Sequence, residues 1–386
     1  MQEPNARGIC ASLTDHEIMA LGAPVNLADA HTHQTPTEKE WRAVHSRLPQ
    51  LFREAQGMTQ EESDLAAFRA LLKTAGQYSV IENSWFLATY AASVSMDILA
   101  ACASKRYSAG ALIEPTFDNI PALLRKYSLA LIPIDLHQLP ACKVDPGRFL
   151  AMLSNMAPKP QFIFLVLPNN PTGHYFDKLG FEAVASFCAT NDTALFIDAT
   201  FRLYEPNLMF DMYEILNRSA TSYVVIEDSG KLWPVADMKI SFMTASPDWH
   251  ASLTAIRNDL LLNVSPFINL LVRDYSNFHT AHPEILHGLI ADNRRRVRQA
   301  LARSKCLHSI FTDSHVSVEF ISTGQLYAYD LVDLLSQRGL AALPGEQFYW
   351  SDPASGAHAI RLALARDRSV INSAMEMLLE VLGRIS

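Results

Sequence analysis

The chain has 386 residues, of which 49% are apolar, with a net charge of −8 and a mean hydropathy of +0.05. A chain of this length exceeds the size at which a single core stops growing, so we expect two domains that share an interface. No run of 18 or more apolar residues occurs in the sequence, so we expect no membrane span. The first ten residues are polar and mixed in charge, unlike a secretory signal, which favours a cytoplasmic protein.

Charge pattern and cysteine content exclude further classes of partner. The basic cluster Arg294-Arg295-Arg296 lies in a helical pattern typical of a solvated face, so we expect no nucleic acid partner. The five cysteines are scattered, odd in number and without the spacing of a metal site. We therefore expect free thiols in a reducing compartment, and no metal ion.

Helical and strand patterns alternate through the middle of the chain. A loop leads into a helix within residues 93–103, and further helices are predicted at 120–127 and 179–190. Apolar runs predict strands at 111–113, 129–134, 162–167, 194–198, 223–227 and 240–244. Continuous apolar strands separated by helices favour an α/β fold, with a mostly parallel central sheet covered by helices on both faces.

The pattern changes after Pro266. A long helical stretch at 267–305 precedes short strands around 317–321 and 359–364, with a helix at 328–338 between these strands. This order predicts a smaller α+β domain. The predicted domains are a large domain at 46–270 and a small domain at 271–386, to which the segment at 1–45 contributes a part.

Three strand ends carry residue types that serve one kind of chemistry. Asn170 lies in an Asn-Asn-Pro-Thr-Gly run, Asp198 closes the strand at 194–198, and Lys231 follows the strand at 223–227. Because α/β sheets place ligands at the carboxyl ends of their strands, we expect these side chains to meet. A lysine there can bond covalently to an aldehyde cofactor, which then performs carbanion chemistry. The alternatives are a solvated surface lysine and an aspartate that only caps a helix or loop.

In this order and spacing the three segments resemble the fold-type I pyridoxal phosphate (PLP) enzymes, which have the aspartate aminotransferase-like fold. The resemblance implies that Lys231 holds PLP, that Asp198 keeps the pyridine nitrogen protonated, and that Asn170 bonds to the phenolic oxygen O3′. It implies that Phe117 stacks on the cofactor ring, although a core phenylalanine would fit that position equally well. It also implies a homodimer with both active sites at the subunit interface.

A helix start and a lysine indicate the phosphate end of such a site. Ser93 and Ser95 stand where free amides and hydroxyls can bind phosphate, although helix capping alone would also account for them. Lys239 lies eight residues after Lys231, where the family usually has a phosphate-binding arginine. Arg361 matches the arginine of the C-terminal domain that binds a substrate carboxylate through two hydrogen bonds.

Two positions depart from the aminotransferase pattern. Phe201 replaces the tyrosine usually found three residues after Asp198, which removes one hydrogen-bond donor to O3′. Asp228 replaces the serine usually found three residues before Lys231. Since a carboxylate and a phosphate repel each other, we expect Asp228 to turn toward a cationic part of the substrate.

Longer segments resemble the oxygen-dependent PLP arginine oxidases, which include the arginine hydroxylases and desaturases of natural-product pathways. They include SVSMDILA at 93–100, PTFDNI at 115–120, IEDSGKLWP at 226–234 and LPGEQFYW at 343–350, and the likeness runs over nearly the whole chain. The resemblance implies that the 1–45 segment acts as a lid over bound L-arginine. It implies that Thr14 and Glu17, with Asp228 beside them, hold the guanidinium, and that His31 faces the cofactor and serves the oxygen chemistry.

Local structure alone can also account for some of these residues. Thr14 and Glu17 have the spacing of a helix capping box, and His31 could be a surface histidine. The resemblance implies L-arginine and O2 as substrates, with ammonia and a 4-hydroxylated or desaturated 2-ketoarginine as products. Because a histidine can move protons near neutral pH, His31 favours the 4-hydroxylated product. A conventional aminotransferase that uses an α-keto acid acceptor is the main alternative, and a ligand sensor without activity is another.

Overall fold

The chain folds into a large central sheet and two smaller sheets surrounded by helices. The structure, a computed structural model, describes residues 12–81 and 85–385, so the first eleven residues of the predicted lid lie outside the described residues. The helices are α1 (Leu13–Ala20), α2 (Glu38–Ala43), α3 (Leu48–Gln56), α4 (Gln60–Thr74), α5 (Ala92–Ala103), α6 (Asn119–Lys126), α7 (Pro146–Asn155), α8 (Lys178–Thr190), α9 (Met212–Ser219), α10 (His250–Leu260), α11 (Pro266–Ala281), α12 (Pro283–Leu301), α13 (Ala328–Ser336) and α14 (Arg368–Ile385). The strands are β1 (Val25–Asn26), β2 (Phe86–Thr89), β3 (Ala109–Glu114), β4 (Ala130–Asp135), β5 (Phe162–Val166), β6 (Ala194–Asp198), β7 (Tyr223–Asp228), β8 (Ser241–Ala245), β9 (His308–Ser309), β10 (Val318–Ser322), β11 (Leu340–Ala341), β12 (Leu343–Pro344) and β13 (Ala359–Ala363).

The central sheet has seven strands in the order β2-β8-β7-β6-β5-β3-β4. β8 runs antiparallel to its neighbours β2 and β7, and the pairs from β7 to β4 are parallel. Every residue of β5, β6 and β7 is buried. Because successive side chains of a strand point to opposite faces, helices must cover both faces of this sheet. The predicted α/β fold with a mostly parallel sheet is confirmed.

Three local predictions are wrong, each for a physical reason. Arg294, in the cluster predicted to form a solvated face, is buried because it pairs at 2.9 Å with the buried carboxylate of Glu319. The helical stretch at 267–305 is two helices, since Pro283 lacks an amide hydrogen and keeps the residue before it, His282, out of the helical conformation. The capping box at Thr14 does not form. Instead α1 begins two residues earlier, where the Ser12 hydroxyl accepts a hydrogen bond from the Asp15 amide at 3.0 Å.

The smaller sheets join the two ends of the chain. β12, β13, β10 and β9 form an antiparallel sheet, and β1 pairs in parallel with β11, with Val25 opposite Leu340. The N-terminal segment therefore belongs structurally with the C-terminal part. α11 crosses the predicted boundary at residue 270 and packs against α3 and α4. The domain limits remain predictions.

Neither a membrane-spanning helix nor a metal cluster occurs in the described ranges. Between residues 12 and 385, leaving out 82–84 and the last side chain, no helix has the length and apolar character needed to cross a membrane. In the same ranges no group of three or more metal-ligating side chains is found. Cys102, Cys142 and Cys188 are buried and Cys306 is exposed, all as free thiols.

Candidate active site

The carboxyl ends of β5, β6 and β7 open into a cavity of about 460 Å³. It is lined by residues of α1, of the loop after β1, of the start of α5 and of β13. Of the twelve residues that the sequence singled out, all except Ser95 line this cavity. They are Thr14, Glu17, His31, Ser93, Phe117, Asn170, Asp198, Asp228, Lys231, Lys239 and Arg361.

Lys231 is held in a fixed turn after β7. The Ser229 amide donates to the carbonyl of Ile240 at 3.0 Å, and the Ser229 hydroxyl accepts from the Ile240 amide at 2.9 Å. The hydroxyl of Tyr204 donates to the Lys231 carbonyl at 2.6 Å. These bonds fix the main chain of Lys231 while its side chain extends into the cavity.

The electrostatic surroundings of Lys231 favour a neutral amine. Burial lowers the pKa of the Lys231 amine, opposed by the carboxylates of Glu17 and Asp29 and assisted by Lys239 and Arg361. The closest of these carboxylates, Asp29, lies 3.8 Å from the amine nitrogen. A lowered pKa increases the uncharged fraction that can attack an aldehyde. The side chain of Lys231 thus lies in the cavity, unlike that of a solvated surface lysine, and its surroundings suit a nucleophile.

Asp198 closes β6 at the floor of the cavity. One carboxylate oxygen accepts hydrogen bonds from the Thr200 amide at 2.9 Å and from the Thr200 hydroxyl at 2.5 Å. Burial raises the pKa of Asp198 to about 6, although these hydrogen bonds act to lower it. A raised pKa is typical of a buried carboxylate that lacks a cationic partner. A protonated ring nitrogen would supply that cation.

The start of α5 differs from what the sequence predicted. The Asp228 carboxylate accepts from the Ala92 amide at 2.7 Å and from the Gly230 amide at 2.5 Å, so it does not turn toward a substrate cation. The partial positive charge of the helix N-terminus attracts it there. Ser93 is exposed and lines the cavity. Ser95 is buried behind it, and its hydroxyl bonds to Thr89 and Ser241, so it does not reach a phosphate from this position.

His31 lies between two charged groups inside the cavity. Its Nδ1 is 2.6 Å from an Asp29 oxygen, and its Nε2 is 2.8 Å from the Lys239 ammonium nitrogen. Since a lysine ammonium can only donate, Nε2 accepts and Nδ1 carries the hydrogen. Burial lowers the pKa of His31, which keeps the ring neutral. The alternative of a surface histidine is therefore excluded.

Sequence reasoning missed two residues of this site, Asp29 and Arg366. Asp29 accepts hydrogen bonds from His31 and also from His33, at 2.7 Å. The buried Arg366 guanidinium donates to the main-chain carbonyls of Asn26 and His31, each at 2.7 Å, and to that of Asp29. An acidic residue two positions before a functional histidine could have indicated Asp29. Nothing in the local pattern indicates Arg366.

α1 covers the cavity and is anchored to its wall. The Glu17 carboxylate forms an ion pair at 3.2 Å with Arg361, which also donates to the Ala28 carbonyl and lies 3.5 Å from the Asn170 side-chain oxygen. Glu17 therefore occupies the place where a substrate carboxylate would meet Arg361. The Phe117 ring centre lies 6.0 Å from the Arg361 guanidinium carbon.

These residues fit PLP. The amine of Lys231 has a lowered pKa and suits an aldehyde, and Asp198 lacks a cation. Lys239 and the exposed Ser93 lie in the same cavity near the start of α5, where an ammonium and a hydroxyl suit a phosphate, while Asp228 holds the Ala92 amide.

Comparison with known proteins agrees with this geometry. The aminotransferase class I and II family model matches residues 18–378. The chain belongs to this family. It is accordingly a PLP-dependent enzyme of the aminotransferase superfamily, with the aspartate aminotransferase-like fold predicted above.

Individual relatives differ in how far the likeness extends. The structure of MppP soaked with the product 2-ketoarginine is 32% identical, with a TM-score of 0.86, over 93% of this chain and 99% of that chain. LysN, the α-aminoadipate aminotransferase of Thermus thermophilus, has a TM-score of 0.78 but 16% identity, over 97% of this chain and 95% of that chain, so it shares the fold alone. Histidinol-phosphate aminotransferase 1 of Burkholderia lata is 28% identical over 159 residues, which span only 39% of this chain and 40% of that protein.

Proposed function

We propose that the protein is a PLP- and O2-dependent oxidase of L-arginine that acts in natural-product biosynthesis. Its products would be 4-hydroxy-2-ketoarginine, a desaturated 2-ketoarginine, or both, with release of ammonia. The observation that carries this proposal is the likeness to MppP, which covers nearly all of both chains and in which 2-ketoarginine is the product. Phe201, which lines the cavity in place of the usual tyrosine, supports a site that differs from that of an aminotransferase.

Substrate binding follows from the ion pair between Arg361 and Glu17. The α-carboxylate of the substrate would bind Arg361 and release Glu17, since both carboxylates compete for one guanidinium. The released Glu17, with Thr14 at the same wall, would then face the cationic end of the substrate. We assign Asp228 instead to the part of the cavity at the start of α5, where the cofactor would bind. Backbone amides already bond to both of its carboxylate oxygens.

The remaining residues would handle protons and water. PLP, when bound, supplies an electron sink for the electrons left when a proton leaves the substrate Cα. Lys231 would accept that proton at its Nζ, and Asp198 would keep a proton on the ring nitrogen. α1 would exclude bulk water from the cavity and so protect reactive species.

The proposed products fix the electron balance. L-arginine loses two electron pairs on the way to either product, and two O2 molecules would accept them to give two H2O2. Hydroxylation takes up two water molecules, one at C2 and one at C4, whereas desaturation takes up only the water at C2. Ammonia leaves from C2 in both cases.

Oxygen dependence separates the oxidase from the aminotransferase, the second candidate, which the family match favours. The holoenzyme with L-arginine alone is expected to consume O2 and to stop under nitrogen. An oxygen electrode and an ammonia assay measure this, with L-leucine as the matched neutral substrate. Turnover that requires an α-keto acid and ignores oxygen would establish the aminotransferase instead.

The fate of C4 is expected to depend on His31. Its neutral ring beside Lys239 can move a proton to or from water, so we expect the 4-hydroxylated product to carry oxygen from the solvent. Mass spectrometry after turnover in 18O-labelled water measures this. His31→Ala should shift the products toward the desaturated compound, and His33→Ala is the matched control. An unlabelled C4 oxygen, or an unchanged product ratio in His31→Ala, would contradict the assignment.

Family members are typically dimeric, and we propose a homodimer with both sites at the subunit interface. Large apolar side chains of this protein are solvent-exposed in the single chain, as a partner surface requires. They include Trp41, Phe52, Leu260 and Leu262.

A further inference from the structure

Asp118 is a charged residue of the cavity that the proposed function does not yet use. It immediately precedes α6, and one of its oxygens, Oδ2, accepts a hydrogen bond from the Leu13 amide of α1 at 2.6 Å. The other oxygen, Oδ1, is buried, and within the described ranges it has no well-formed hydrogen bond, the adjacent Asn119 amide being the donor that acts on this carboxyl group. A buried carboxylate oxygen without a well-formed hydrogen bond is costly unless a ligand supplies one.

The charges of the cavity lining do not balance without a further cation. The lining holds four acidic and three basic side chains, apart from His31. They are Glu17, Asp118, Asp198 and Asp228, and Lys231, Lys239 and Arg361.

Most of these charges have a partner or a function once cofactor and substrate are bound. Asp198 would meet the ring nitrogen, Asp228 would keep its backbone amides, and Lys239 would meet the phosphate. Arg361 exchanges Glu17 for the α-carboxylate. Glu17 and Asp118 then remain as two neighbouring carboxylates without a cation.

Asp118 and Glu17 line the same cavity, and their negative charges repel each other. Burial raises the pKa of Asp118 to about 6, and the negative charges of Glu17 and Asp15 act in the same direction. A guanidinium between Asp118 and Glu17 would remove this repulsion, and its planar fork of donors can serve two carboxylates at once.

We propose that Asp118 is a specificity-determining residue that binds the guanidinium of the substrate through Oδ1, opposite Glu17. This inference rests on the proposed function. It assigns two tasks to one side chain, since Oδ2 anchors the start of α1 while Oδ1 contacts the substrate. Closure of α1 and recognition of the cation would then depend on the same carboxylate.

The test compares L-arginine with L-citrulline, whose side chain has the same shape but no charge. Their dissociation constants are measured on the holoenzyme without oxygen, from the change in its visible spectrum. Asp118→Asn removes the charge but keeps a carbonyl for the Leu13 amide. We expect it to weaken arginine binding about thirtyfold or more, the lower range for loss of one partner of a buried charge pair. Citrulline binding should change little.

Two further variants complete the design. Asp118→Glu keeps the charge and should restore part of the preference for arginine. If Asp118→Asn fails to bind the cofactor, Asp118→Glu still tests the proposal. An Asp118→Glu enzyme that does not prefer arginine over citrulline would overturn it. Asp97→Asn is the matched control, since Asp97 pairs with Lys126 at 2.8 Å and does not line the cavity, and arginine binding should be unchanged.

The outcomes separate this inference from the proposed function. Equal weakening of both ligands by Asp118→Asn would show that Asp118 only anchors α1, and unchanged binding of both would show that it does not touch the substrate. Either result overturns the inference while leaving the oxidase intact. A wild-type enzyme that neither binds nor oxidises arginine overturns the proposed function itself.

Discussion

The Lys231→Ala variant is expected to be colourless after dialysis and to lose arginine turnover by about 10⁴-fold or more, the upper range for loss of a general base. The loss is large because one nitrogen would both hold the cofactor and accept the Cα proton. Burial lowers the pKa of this amine, which suits both tasks. Visible absorbance and oxygen consumption measure the two losses.

Lys143→Ala is the matched control for this prediction. Lys143 is 58% exposed and pairs at 2.6 Å with Asp177 on the surface, so its loss should alter neither colour nor turnover. A Lys231→Ala protein that kept a covalently bound cofactor after borohydride treatment would place the attachment on another lysine.

Asp198→Asn is expected to lower kcat about a hundredfold or more, a typical loss when one group that stabilises transition-state charge is removed. Asparagine cannot hold a proton on the ring nitrogen, so the electron sink weakens. KM for arginine should change little, since the proposed function has Arg361 bind the carboxylate elsewhere in the cavity. Steady-state kinetics on the cofactor-saturated enzyme separates the two constants.

Thermal unfolding of the cofactor-free protein measures whether the Asp198 carboxylate stabilises the fold. The pKa of Asp198 is raised to about 6, so its contribution to stability is full at low pH and is lost as the pH rises through 6. At pH 7 the substitution should therefore not lower Tm. Asp135→Asn is the control, because Asp135 closes β4 of the same sheet outside the cavity. A Tm loss in Asp198→Asn would mean that the hydrogen bonds from Thr200 stabilise the fold only when they meet a carboxylate.

The sequence predicts six of the seven strands of the central sheet, because most of their residues are apolar, and misses the edge strand β2. β6 matches its prediction at both ends, and β5 differs by one residue. Pairings between distant parts of the chain could not be predicted. β1 and β11 are two residues each, too short to show a period, and tertiary contacts alone bring them together.

In the candidate site, too, the local sequence predicts some features, and contacts between distant residues determine the others. Lys231, Asp198 and Asn170 could be placed because each follows a strand, and parallel strands end at one edge. The direction of Asp228 could not be predicted, since it depends on the amide of Ala92, which is distant in sequence. The ion pair between Glu17 and Arg361 likewise depends on how α1 docks.

The hydrogen bonds from Arg366 fix the loop after β1 to the C-terminal part of the chain. The loop carries Asp29 and His31, and both its strand partner and Arg366 come from the C-terminal part of the chain. Asp29 nevertheless lies 3.8 Å from the Lys231 amine, and His31 bonds to Lys239. Both lysines belong to the central sheet region. A hinge motion between the two parts would carry both side chains away together and change the basicity of the amine. The reactivity of Lys231 would therefore depend on how the C-terminal part lies relative to the central sheet.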